Sequence, residues 1–322
     1  MQKIEIFCTL GPSSLNSKFL KFTNNRVSLL RLNMSHLSIV SMKKNISFIK
    51  KHSSVPICVD TEGAQIRSKV KNSKKIKLGS KILLKKFGGN FNLYPENVFN
   101  QLKKGDKLEI GFEGLKTKIA KINKNQVELV CFSEGVLENN KGVHLINRKI
   151  KIDFLTKKDK LAIQIAKKMG VKNFALSFTN SENDIDKFNK LLPLERKIFK
   201  IETLNALKNL NKLLKKGKYF LIDRGDLSKD INIENIPIAQ RLIFKKIKGK
   251  NKEVLIATNF LESMIEKSYP TRAEVNDIYN ALEMGASGLV LAAETAIGKY
   301  PQECIELLAK IIKIFKKGYK FF

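Results

Sequence analysis

A chain of 322 residues, 43% of them apolar, can bury a sizeable core, and suits one large α/β barrel with an inserted module or two ordinary domains. No apolar run reaches the about 18 residues of a membrane span, and "MQKIEIFCTLGPSS" is broken too early by Gly-Pro to be a secretory signal, so the cytoplasm is the expected compartment. The net charge of +31 would suit a polyanion, but 53 lysines against 8 arginines, scattered singly or in pairs, read as a compositional habit, since phosphate readers favour the planar Arg fork; no specific nucleic-acid partner and no membrane partner are expected. Cys8, Cys58, Cys131 and Cys304 form no CxxC pair and read as reduced, packed thiols, and the scattered His36, His52 and His144 make a zinc site improbable.

Eight nearly continuous apolar runs follow one another along the chain: 3–10, 27–34, 55–60, 173–178, 197–202, 218–223, 253–258 and 287–294. They read as buried parallel strands. Between most of them lie helical patterns, clearest at 157–170, 203–217, 273–285 and 301–318, with a terminal Gly or Lys-Lys-Gly stop. The alternation predicts a TIM (β/α)8 barrel formed by 1–67 and 151–322. Residues 68–150 break the pattern with short strand-like runs ("SKILLKKF", "DKLEIGF", "QVELVCF") and a hairpin signal in "KINKNQVEL". They predict a small all-β lid domain inserted after the third barrel strand.

In such a barrel the chemistry sits where the strands end. The second ends with Arg31, Asn33 and Ser35, spaced to share one face, and the third with Asp60 and Thr61. The fifth ends with Lys200 and Glu202, again on one face. The sixth runs into Arg224, Gly225 and Asp226; the seventh and eighth end at Thr258 and at Glu294 with Thr295. Singly, Thr203, Asp223 and Thr295 read as ordinary strand-end or capping residues; the set as a whole brings charge of both signs to one mouth. Phosphoryl transfer is the chemistry suggested: Glu202 and Asp226 are placed to hold Mg2+, Arg31 and Arg67 to clamp phosphate, and Lys200 to stabilise a transferring phosphoryl group. No GxxxxGK[ST] loop is present.

The stretches "CTLGPSS" (8–14), "LLRLNMSH" (29–36), "VDTEGAQIR" (59–67), "KGVHL" (141–145), "FKIET" (199–203), "DRGDL" (223–227), "ATNFLESMIEKSYPTRAEVNDIYNA" (257–281) and "ETAIGKYP" (294–301) closely resemble the pyruvate kinase family, in order and over almost the whole chain. The resemblance implies Mg2+-dependent phosphoryl transfer from phosphoenolpyruvate to ADP, giving pyruvate and ATP. It implies that Lys200 contacts the phosphoryl group, that Glu202 and Asp226 bind the divalent metal, and that Arg31 binds phosphate. Arg67 falls on the nucleotide side, His36 among the substrate or nucleotide contacts, and the backbone at Gly225 and Asp226 beside the substrate carboxylate. Thr258 would take part in protonating the enolate, and Asn33, Ser35, Asp60 and Thr61 match the family's potassium ligands. The inserted β domain matches the family's mobile lid.

Some positions depart from the family pattern. Glu62, Ala64 and Gln65 differ from the usual DTKGPEIR, and neutral Gln65, where potassium-dependent members carry Glu and many independent ones Lys, leaves K+ use open. "GFEG" (111–114) lacks the lid's usual Asp pair; Leu37, Asn180 and Ala292-Ala293 replace the usual Gly, Arg and Ser-Gly. No C-terminal regulatory domain of the family's kind is expected; a homodimer through the barrel without sugar-phosphate regulation is expected accordingly. The alternatives are a catalytically decayed barrel kept for binding, a nucleic-acid-binding protein, and a lyase-type phosphoenolpyruvate barrel, which the "PTRAEV" stretch and the inserted domain argue against.

Overall fold

The computed structural model of the chain describes residues 3–111, 114–146 and 148–318. Eight strands, β1 (Glu5–Thr9), β2 (Leu29–Asn33), β3 (Ile57–Asp60), β4 (Asn173–Leu176), β5 (Arg196–Ile201), β6 (Tyr219–Asp223), β7 (Glu253–Ala257) and β8 (Gly288–Leu291), close a parallel barrel in chain order. Each lies within one of the eight apolar runs except β5, which begins one residue before its run, at Arg196. Closure is made by β1 against β8, with Glu5 opposite Gly288 and Cys8 opposite Leu291.

Strand periodicity then divides the side chains. Phe7, Leu29, Cys58, Ala175, Ile198, Leu221, Leu255, Ala257 and Val290 point inward and pack into one cluster. Their neighbours point outward to the helices. Phe199 meets Phe188 of the helix Glu182–Leu191 edge-on, with ring centroids 6.1 Å apart, and leans on Phe220 at 6.0 Å. At the bottom of the barrel the inward residue of β5 is Arg196. Its guanidinium takes both oxygens of Glu5, at 2.9 and 2.6 Å, and lies 4.1 Å from the Tyr219 ring centroid. This end is closed by a charge pair and aromatic faces.

The helices follow their sequence signals with one correction. The pattern at 203–217 reads as a single helix, but the structure has two, Leu204–Lys208 and Leu210–Lys216, divided at Asn209. The Asn209 and Asn205 side-chain amides both donate to the Asn180 carbonyl, at 2.8 and 3.2 Å, and that attachment to the neighbouring loop interrupts the regular helix. Thr203 caps the first of them, accepting from the Ala206 amide at 3.0 Å. Gly170 follows the helix Lys157–Lys168 with φ +75°, the left-handed stop its sequence signals. Thr271 and Glu274 form a capping box on the helix Arg272–Glu283, and Glu274 also takes the Ser263 amide and hydroxyl, at 2.7 and 2.5 Å. The "SYPTRAEV" stretch is thus partly architectural.

Residues Ala64–Thr156 form a separate compact unit. Its bounds lie outside the expected 68–150 because the strand Ile66–Val70 pairs with Phe91–Tyr94 and with Gly142–Leu145. Arg67 therefore belongs to this β unit. A seven-stranded sheet with antiparallel neighbours covers a core that includes Leu84, Phe91, Leu108, Leu129 and Val143. The expected hairpin is present, Leu115–Ile122 against Gln126–Cys131. Within "GFEG", Phe112 and Glu113 lie outside the described residues. No helix among the described residues is long and apolar enough to cross a membrane.

All four cysteines are free and buried. Burial pushes the Cys8 and Cys304 thiols up to about 12, and burial with the Asp60 charge raises Cys58 further. Their thiolate forms are therefore scarce at neutral pH. A thiol reagent at pH 8 is expected to leave the native protein unmodified and to label all four sites in denaturant; rapid labelling of a native thiol would contradict this. Replacing Arg196 with Ala leaves Glu5 without its partner, and a loss of about 2 kcal/mol in urea unfolding is expected; unchanged stability would make the bottom pair a spectator.

Candidate active site

The inward row that packs the barrel becomes polar one step further up each of β1 to β6. Phe7 is followed by Thr9, Leu29 by Arg31 and Asn33, Cys58 by Asp60, and Ala175 by Ser177. Ile198 is followed by Lys200 and Glu202, and Leu221 by Asp223. These side chains rise from an apolar floor, and most are buried.

Lys200 is the hub, with 3% of its surface exposed. Its Nζ lies 2.6 Å from Glu202 Oε1, 3.2 Å from Asp223 Oδ2 and 3.4 Å from Asp60 Oδ2. It also donates to Ser177 Oγ at 3.3 Å. Burial works against its charge, but Asp60, Glu202 and Asp223 outweigh burial and raise its pKa above the ordinary lysine value. Lys200 is a fixed cation. Arg31 stands beside it, giving Nε and Nη2 to Asp60 Oδ2 at 2.8 and 2.5 Å and Nη1 to Thr9 Oγ1 at 2.9 Å.

Asp60 is held from several sides. Ser177 Oγ donates to its Oδ1 at 3.1 Å, and the Ser177 amide donates to Thr61 Oγ1 at 3.0 Å. The turn after Thr61 is fixed by Asp159, which accepts from the amides of Glu62 and Gly63 at 2.8 and 3.1 Å. Gly63 has φ +68°, and a Cβ there would stand 2.4 Å from the Ser177 carbonyl oxygen, so the turn admits only glycine. Glu62, one of the departures from the family pattern, pairs with Lys158 at 2.6 Å, and Lys158 also holds the Met34 carbonyl. Asn33 Oδ1 accepts from the Ser35 amide at 3.0 Å. The four expected potassium ligands thus stand at the ends of β2 and β3, with Asp60 committed to Arg31, Lys200 and Ser177.

Glu202 is 1% exposed and accepts from the Phe178 amide at 2.5 Å. Burial raises its carboxyl to about 8, with Asp223 and Asp226 adding to the effect against the pull of Lys200. Although Oε1 sits beside Lys200, no donor meets that oxygen in hydrogen-bonding geometry. Carboxylate oxygens of Glu202, Asp223 and Asp226 lie within 4.8 Å of one another. Three hard oxygen donors around a carboxyl held up by surplus negative charge fit a divalent cation such as Mg2+.

Across the mouth, Thr258 and Asn259 have φ +73° and +58°, and Phe178 has φ +52°. These are strained positions for residues with side chains. Thr258 Oγ1 accepts from the Gly225 amide at 2.9 Å. Arg224 supports this bend from behind: it donates to the Thr258 carbonyl, pairs with Asp277 at 2.6 Å and lies 4.4 Å from the Phe260 ring centroid. Glu294 and Thr295 serve the scaffold. Glu294 accepts from the amides of Leu261 and Ala292, and Thr295 donates to the Thr9 carbonyl. His36 is exposed in the turn beyond Ser35. Arg67 lies in the β unit and donates to the Asn140 carbonyl at 3.2 Å.

Sequence reasoning missed Thr9, Ser177 and Asp223. By its sequence context Asp223 is a strand-end or capping residue, yet it makes no capping hydrogen bond to the helix Arg224–Ile231 that it precedes. Its two-residue spacing from the inward Leu221 was the available signal.

A family model described as "Pyruvate kinase, barrel domain" matches residues 1–305. The pyruvate kinase of Thermotoga maritima is 33% identical over 100% of this chain and 73% of its own length. That of Thermococcus litoralis is 32% identical over 97% of this chain and 69% of its own length. That of Methanocaldococcus jannaschii is 32% identical over 100% of this chain and 71% of its own length. The eight-stranded barrel, the buried lysine among carboxylates and these likenesses agree, and the chain belongs to the pyruvate kinase family of phosphotransferases.

Proposed function

We propose that this chain transfers the phosphoryl group of phosphoenolpyruvate to ADP, giving pyruvate and ATP. One observation carries the reading: Lys200, buried and permanently charged, sits where β5 opens into the mouth, beside a carboxylate cluster fit for a divalent metal. A fixed ammonium with no ready proton to lose suits stabilisation of a migrating phosphoryl group. Arg31, charged and rigidly held by Asp60 and Thr9, offers a second cation for phosphate.

Glu202 and Asp226 are the proposed holders of Mg2+, which when bound neutralises charge developing on substrate oxygens. The backbone of Gly225 and Asp226, in the first turn of a helix, is the proposed receiver of the substrate carboxylate, with the Gly225 amide exchanging Thr258 Oγ1 for it. Thr258 Oγ, fixed at a strained bend, is the proposed end of the proton path to the enolate carbon. Asn33, Ser35, Asp60 and Thr61 are the proposed K+ ligands, and Arg67 and His36 proposed nucleotide or substrate contacts.

The test is a coupled assay for pyruvate from phosphoenolpyruvate and ADP with Mg2+, run with and without K+. The parent should turn over, and Lys200→Met should lower kcat by at least about 100-fold while keeping its circular dichroism. Absence of turnover in folded parent protein, with both ions supplied, overturns the proposal. Thr258→Ala should lower kcat more than it raises KM, because its hydroxyl serves a step after substrate is bound. An equal change in both would remove Thr258 from the proton path.

A further inference from the structure

We propose that Asp223 is a third carboxylate ligand of the divalent-cation site, in addition to Glu202 and Asp226; the inference rests on the reading of those two as metal ligands. Asp223 ends β6 on the inward row and is 5% exposed. It stands immediately before the helix Arg224–Ile231, where an aspartate would ordinarily turn back to cap the free amides. It does not do so. Its carboxylate faces the mouth instead, with Oδ2 3.2 Å from Lys200 Nζ, and it accepts no hydrogen bond among the described residues.

Lys200 alone does not balance it. The same ammonium is 2.6 Å from Glu202, and it is shared with Asp60, which Arg31 already grips through two N–H groups. Asp226 has its own cation in Lys229 at 3.3 Å. Negative charge is therefore in surplus where Glu202 and Asp223 meet.

Geometry gives the surplus a place. One oxygen each from Glu202, Asp223 and Asp226 lies within 4.8 Å of the others. Oxygens sharing one hard cation at about 2.0–2.6 Å from it lie no more than about 5 Å apart. A second, independent observation points to the same ligand. Glu202 Oε1 is fully buried at this spot; Lys200 Nζ stands 2.6 Å from it, but no donor among the described residues is aligned with it, which leaves a lone pair that a metal cation would fill. Asp223 then has two states of service. Without metal it pairs with Lys200; with metal it turns its charge to the ion and leaves Lys200 freer to face the substrate's phosphoryl group.

The experiment uses the full chain and Mn2+ alone, without substrate or nucleotide. Mn2+ affinity is read by electron paramagnetic resonance, and the number of water molecules bound directly to the ion by water-proton relaxation. Asp223→Asn, nearly isosteric, should weaken Mn2+ binding by at least about tenfold and add one bound water. Binding within twofold of the parent, or weaker binding with an unchanged water number, overturns the proposal, the second outcome assigning Asp223 a field effect only. Asp223→Ala, checked by circular dichroism, serves if the Asn variant misfolds and must show the same added water. Glu202→Gln separates the two layers. If it weakens Mn2+ binding and Asp223→Asn does not, only the present inference fails; if neither does, the cation-site reading fails with it.

Discussion

An ammonium group cannot be buried alone. Lys200 is held in the barrel because Asp60, Glu202 and Asp223 surround it, and this one requirement orders the rest of the mouth. Asp60 brings in Arg31, which reaches Thr9; Ser177 braces Asp60 and ties it to Thr61. Glu202 fixes the Phe178 amide and with it a left-handed bend. Six strand ends, those of β1 to β6, are thus joined through two cations. The cost of desolvating the charges is met by mutual pairing, and the resulting array is stiff before any substrate arrives.

The local charge at this mouth runs against that of the chain as a whole. The protein carries +31, almost all of it as lysine on solvated faces, while the four carboxylates Asp60, Glu202, Asp223 and Asp226 are gathered around Lys200 and Arg31. A long-range positive field draws phosphorylated anions toward the molecule. The carboxylate cluster would repel them at close range unless a cation intervened. Attraction at a distance and selectivity at contact are therefore supplied by different residues.

Much of this was legible in the sequence because parallel strands are nearly continuous apolar runs and their period is two. That period sets Lys200 and Glu202 on one face and carries Arg31 with Asn33 in the same way. The site residues missed were short polar ones whose roles depend on which neighbour they meet. Nothing local in "ALSFTN" announces that Ser177 will brace Asp60 from 117 positions away. Asp223 looked like a helix cap because its sequence context is that of one; only the direction of its side chain distinguishes the two roles. The break at Asn209 escaped for a similar reason, since its cause is a carbonyl at Asn180 in another loop.

The clamp between Arg196 and Glu5 joins β5 to β1 at the barrel floor, and β1 completes its pairing only with Gly288 and its neighbours in β8. The first of the barrel strands to leave the ribosome is thus among the last to find both of its partners. During synthesis its apolar face must wait through the emergence of about 280 further residues, exposed or provisionally covered, before the ring can shut. The β unit meets no such delay, since every strand of its sheet pairs within Ala64–Thr156, and it can take shape while the barrel is still an unfinished arc.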